Sequence, residues 1–136
     1  MNQNYKSLFI WASFVAFLTI LCSCNVEECP CSSNSIINGR WIGEFKDSNN
    51  YVYLNVNLTA NYSDLSGNGT LNLQLGNFDF ENLVSLSGSF VSNKIVFKIN
   101  EIDRLSFEGS LNERKDTIIG SMFFRDHKFP LSLKRI

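Results

Sequence analysis

Tyr51-Val52-Tyr53-Leu54-Asn55-Val56-Asn57-Leu58 decides the fold. Val52, Leu54, Val56 and Leu58 fall on one side of an extended chain, and Tyr53, Asn55 and Asn57 on the other. A strand turns successive side chains to opposite faces, so a period of two makes one dry face and one wet face. A helix would spread the same four aliphatic residues around its circumference.

The same period extends in both directions. Before this stretch, Trp41, Gly43 and Phe45 alternate with Ile42, Glu44 and Lys46. After it come Leu71 to Leu75, Val84 to Phe90, Ile95 to Ile99, Leu105 to Leu111, Ile118 to Phe124 and Phe129 to Leu133. Turn signals separate the runs: Asp47 to Asn50, Ser63-Asp64, Gly76-Asn77, Ser92-Asn93, Glu101-Ile102-Asp103, Glu113 to Asp116 and Asp126-His127. The expectation is an all-β domain over residues 39–136, an eight-stranded antiparallel up-and-down meander. An open meander leaves two edges of unpaired backbone. Closing the first strand on the last removes both, so the pattern predicts a closed barrel. Gly43, Gly67, Gly69, Gly88, Gly109 and Gly120 fall on inward positions, where a missing side chain permits sharp coiling. Gly67-Asn68-Gly69-Thr70 reads as a bulge or bend, because no helix follows to make a phosphate loop.

Asn38-Gly39-Arg40-Trp41 places a Gly-x-Trp on the first strand. Together with the eight-strand meander it resembles the calycin superfamily of lipocalins and avidins. The resemblance implies that Trp41 plugs one end of the barrel and that a basic residue of the last strand, Lys134 or Arg135, packs over it. It does not extend to the avidin biotin site, which depends on several tryptophans.

The first residues carry a different message. Leu8 to Leu21 reads LFIWASFVAFLTIL after the single charge of Lys6. The run falls short of the roughly 20 residues that a bilayer span needs, and reads as a secretory signal. Leu21-Cys22-Ser23-Cys24 resembles the lipobox of bacterial lipoproteins, with a small residue directly before the modified thiol. That likeness implies that residues 1–23 are removed and that Cys24 carries the lipid. Cys22 follows the bulky Leu21 and fits the pattern less well. Two or three acyl chains would anchor the protein firmly without spanning the membrane. Asn25, Glu27 and Glu28 follow, and an acidic pair there resembles the surface-export signal of Bacteroides-type lipoproteins, which points to the outer membrane. Residues 24–38 read as a Ser- and Asn-rich tether. Cys29 and Cys31 flank Pro30 and read as a disulfide, as idle thiols, as further acylation or cross-linking sites, or as two metal ligands where zinc takes about four.

With 12 Lys and Arg against 13 Asp and Glu, scattered without a basic run, the composition excludes a nucleic-acid partner. No catalytic constellation, metal cluster or cofactor motif is visible. Asp47, Asp64, Asp103 and Asp116 sit at turns, Glu44 and Glu108 on wet faces, and His127 in a turn. Inward positions are almost all apolar. Phe45, Phe90, Phe97, Phe107 and Phe124 supply bulk, each worth roughly 1.5–3 kcal/mol when buried. Ile42, Tyr51, Tyr53, Leu83, Val91, Val96, Ile119 and Phe123 are apolar residues on the wet side, and Tyr51 with Tyr53 marks a partner-binding patch. The expected role is a lipid-anchored, non-catalytic binding or accessory module of the cell envelope, with another envelope protein as partner. The alternatives are a carrier of a small apolar ligand, and an inhibitor of an envelope-attacking lysozyme or protease acting through Asp47–Asn50 or Glu113–Asp116.

Overall fold

The structure, a computed structural model, describes residues 35–136. The export signal, Cys24, Cys29, Cys31 and the tether as far as residue 34 lie outside the described residues. Eight strands follow in chain order: β1 (Gly39–Lys46), β2 (Asn50–Asn61), β3 (Asp64–Leu75), β4 (Phe78–Val91), β5 (Lys94–Ile99), β6 (Leu105–Leu111), β7 (Thr117–Phe124) and β8 (His127–Arg135). Each pairs antiparallel with the next and β1 pairs with β8, which closes the barrel. The expected meander is the fold.

Alternation places the core. Val52, Leu54, Val56 and Leu58 are buried, as are Leu71, Leu73, Ile95, Phe97, Phe107 and Leu133. Among the described residues no polar or charged residue is buried as a whole. The Phe97 and Phe107 rings stack at 4.9 Å between centroids across the β5–β6 pair. Phe45 and Phe90 have the expected inward parity yet are only half-buried. Both lie next to the end of their strands, where the barrel opens to solvent. Ile37, assigned by sequence to the tether, is fully buried and belongs to the core.

Gly67 and Gly69 sit in an unbroken register, Leu58↔Gly67 and Val56↔Gly69 to one side, Leu86 and Val84 to the other. The segment is therefore a bend with no bulge. A Cβ on Gly69 would lie 2.0 Å from the Asn55 carbonyl oxygen and 2.7 Å from Val56 Cα, so the missing side chain is what lets β2 and β3 coil so closely.

The wall is uneven. β2 and β3 pair over their full lengths, but β1 and β8 share only Trp41↔Arg135, Ile42↔Lys134 and Gly43↔Leu133. β4 pairs with β3 from Phe78 onward, but with β5 only from Leu86 to Val91.

Most hairpin turns put a residue with a side chain in the left-handed region. Ser92 and Asn93, at φ 49° and 68°, form the two-residue turn between β4 and β5. Two consecutive positive φ values match the right-handed twist of the strands and favour Asn-Gly. Ser92→Asn combined with Asn93→Gly is expected to stabilise the barrel by about 1 kcal/mol, since left-handed backbone costs a side-chain-bearing residue roughly that much. Urea unfolding should show a higher midpoint at unchanged slope.

Candidate functional site

An up-and-down barrel gathers alternate hairpins at opposite ends. Both chain ends of the domain and the turns after β2, β4 and β6 lie at one end, and the turns after β1, β3, β5 and β7 at the other. Asp47–Asn50 and Glu113–Asp116 are therefore at opposite ends and cannot enter one cleft together. Each carboxylate serves its own turn. Asp47 accepts from the backbone N–H groups of Asn49 and Asn50 at 2.9 and 2.8 Å. The Asn50 amide, then the Asn49 N–H, hold Asp47 below the usual carboxylate range. Asp116 is lowered likewise by Asn112 and then Thr117, at 2.7 and 2.9 Å.

Trp41 lies at the first of these ends, with no exposed surface. Its Nε1–H donates to the Ile37 carbonyl at 2.8 Å, and this bond ties the segment before β1 to the barrel. Arg135 lies across the ring, its guanidinium carbon 4.8 Å from the centroid, and donates to the Ile36 carbonyl. Register explains why Arg135 and not Lys134 takes this place. Arg135 is paired with Trp41 and shares its inward parity, whereas Lys134 pairs with Ile42 on the outer face.

At the other end, Phe78 and Phe124 face each other at 4.9 Å between ring centroids. Arg125 caps Phe124 with its guanidinium carbon 4.9 Å from the centroid. Two shallow depressions flank this pair. One, of about 450 Å³, is bounded by Asn50, Leu75, Asn77 and His127. The other, of about 490 Å³, lies among Phe78, Phe80, Ile102, Phe124, Arg104 and Arg125. His127 is exposed, its ring parallel to that of Phe129 at 6.2 Å.

The outer face of β1 to β4 carries the tyrosines. Register sets Glu44, Tyr53, Asn72 and Glu81 in one row across four strands, and Lys46, Tyr51, Gln74 and Asp79 in the next. Tyr51 and Tyr53 are half-buried among these neighbours. Burial pushes the Tyr51 phenol up, and the negative charge of Glu44, which accepts its hydrogen bond, pushes it further. Asn72 Oδ1, in the middle of its row, is buried with no hydrogen-bond partner. A buried acceptor without a donor is uncommon and costs stability.

Among the described residues no group of three or more His, Cys, Asp or Glu is placed to hold a metal ion. Leu83, Val91 and Ile119 are exposed, as their outward parity implied, while Ile42, Val96 and Phe123 are half-covered by neighbours. Sequence reasoning missed the aromatic lining at Phe78 and Phe80. The signal was present, since Phe78 and Phe80 continue the alternation of Val84 and Leu86 backwards through Asn82. Asp79, Glu81 and Asn82, poor strand formers, masked it. Set against protein-family models, curated proteins and solved structures, the chain matches none.

Proposed function

We propose that the protein is a lipid-anchored, non-catalytic binding module of the bacterial envelope, and that the outer face bearing Tyr51 and Tyr53 meets its partner, another envelope protein. The observation that carries this reading is the filled interior. Trp41, Phe97, Phe107 and their aliphatic neighbours occupy the space in which a carrier would hold its cargo. Recognition is then left to the outside. There the tyrosines combine apolar rings with polar tips, a composition favoured at protein interfaces. Glu44, Asn72 and Glu81 in the row of Tyr53, and Gln74 beside Tyr51, offer hydrogen-bonding groups. Support for the anchor is the Leu21-Cys22-Ser23-Cys24 motif.

The test uses the full chain expressed in a bacterium that processes lipoproteins. Cys24→Ala is expected to move the protein from the membrane to the soluble fraction and to abolish the acyl mass on its N-terminus. Tyr51→Ser with Tyr53→Ser is expected to leave the anchor and the β circular-dichroism spectrum intact while partners crosslinked in the envelope are lost. Retention of every crosslinked partner by the double variant refutes the face, and an unmodified Cys24 refutes the anchor.

A further inference from the structure

The barrel closes, but the β4–β5 ladder does not run the length of β4. It ends at Leu86↔Ile99, and the chain then turns away from β4 through residues 100–104. Ser85 is the last β4 residue whose backbone is met on that side by the segment after β5. Its carbonyl accepts from the Asn100 N–H at 3.0 Å, and its N–H donates to the Glu101 carboxylate at 2.9 Å. Backbone groups in a strand alternate sides, so Leu83, Glu81 and Asp79 present theirs to the same open edge. Among the described residues the Leu83 N–H is met by the side chain of the neighbouring Asn82, at 2.8 Å. No strand among the described residues lies against this edge from Phe78 to Val84.

The 490 Å³ depression lies between the start of β4 and the segment 101–104 that follows β5. Its apolar lining is Phe78, Phe80, Ile102 and Phe124, and the exposed Glu101, Asp103, Arg104 and Arg125 complete it. Phe78 and Phe80, inward-facing near the open end of the barrel, are half-buried. On the outer face of the same edge are Asp79 and Glu81, then Leu83 at 73% exposed.

We propose that this edge of β4 is a docking slot for an extended peptide strand of a partner protein, in which apolar and basic residues alternate. Backbone N–H and C=O groups at Asp79, Glu81 and Leu83 supply the ladder that any added strand requires. Alternate side chains of such a strand point inward onto Phe78 and Phe80, which selects apolar residues. The others lie outward beside Asp79 and Glu81, which selects lysine or arginine, because opposite charges side by side on a sheet stabilise the pair and like charges oppose it. The same acids disfavour a second copy of this chain, whose own edge would bring Asp79 and Glu81 against their like. The contrast with β8 is informative. Its stretch unpaired with β1 carries Pro130, a residue that blocks strand addition, whereas the open part of β4 carries no proline. The slot shares Asp79 and Glu81 with the outer-face rows that carry Tyr51 and Tyr53, but its readout, amide protection along the open side of β4, is its own.

The probe is a short synthetic peptide alternating lysine and valine, blocked at both ends and titrated into the intact protein by calorimetry and amide hydrogen exchange. Binding is expected to slow exchange at Asp79, Glu81 and Leu83. Glu81→Pro removes a donor on the open side without touching the β3 ladder, and is expected to weaken binding at least tenfold. Glu81→Gln keeps that donor and is expected to weaken it less. A peptide N-methylated on the pairing side is expected not to bind, which decides the question if Glu81→Pro does not fold. The proposal is overturned by absence of binding, by binding indifferent to both Glu81→Pro and N-methylation, by protection along β8 in place of β4, or by protection of these amides through self-association without peptide.

Discussion

Trp41→Ala is expected to destabilise the domain by about 3–5 kcal/mol, the range for removing a large buried aromatic. Three losses coincide at this residue. The ring is fully buried, so its removal leaves a cavity at the base of the barrel. The Ile37 carbonyl loses the indole donor at 2.8 Å. Arg135 loses the ring beneath its guanidinium, in a seam of only three residue pairs. A small domain is stable by only about 5–15 kcal/mol, so this one change removes much of the margin. Trp41→Phe separates the contributions. It keeps most of the bulk and the surface under Arg135 but orphans the carbonyl, for an expected cost of about 1–3 kcal/mol. Denaturant midpoints of the two variants measure the difference. Equal, small losses in both would show that the ring carries little of the stability.

Gly69→Ala is expected to be as damaging through the opposite defect. A Cβ there meets the Asn55 carbonyl oxygen at 2.0 Å and Val56 Cα at 2.7 Å. These are backbone atoms of a paired strand and cannot swing aside as a side-chain tip would. Inserting atoms into packed interiors costs about 1–3 kcal/mol and occasionally more. Here the β2–β3 ladder itself must shift, so the expected loss lies at or above about 4 kcal/mol, where single substitutions become exceptional. Asn68→Ala, next in sequence but pointing outward into solvent, is expected to stay within about 0.5 kcal/mol of the parent. Thermal melts of the pair give the comparison, and a folded Gly69→Ala protein with an unchanged midpoint would refute the close-approach argument.

How much of this was written in the chain depends on the kind of question. Which side of a strand a residue takes is a matter of parity, and parity is local. Val52 to Leu58 therefore announces its buried face without help from the rest of the molecule. Arg135 was readable only in part, since the sequence left Lys134 and Arg135 open and the β1–β8 register decides between them. In that register Arg135 continues Leu131 and Leu133 by steps of two, which sets it over Trp41 and sends Lys134 outward. Depth along the barrel is not local. Phe45 and Phe90 have the right parity but sit near open ends, and nothing in their immediate neighbours records that. Ile37 is hidden for a different reason. Its burial depends on the Trp41 indole reaching back to its carbonyl, a contact made outside any periodic run. The open edge of β4 was least visible of all. It arises because β4 is 14 residues long and β5 is 6, a mismatch that exists only once the two are paired.

The three-pair closure between β1 and β8 has a consequence for how the molecule assembles and breathes. Every other ladder joins strands adjacent in sequence, so each forms as a local hairpin in about 1–10 μs. The closing ladder must draw together the two extremities of the domain, at the highest loop entropy in the molecule, for the fewest backbone bonds. Loop entropy and the short ladder thus make this seam the one expected to zip last and unzip first, leaving a curled sheet with a slit along one side.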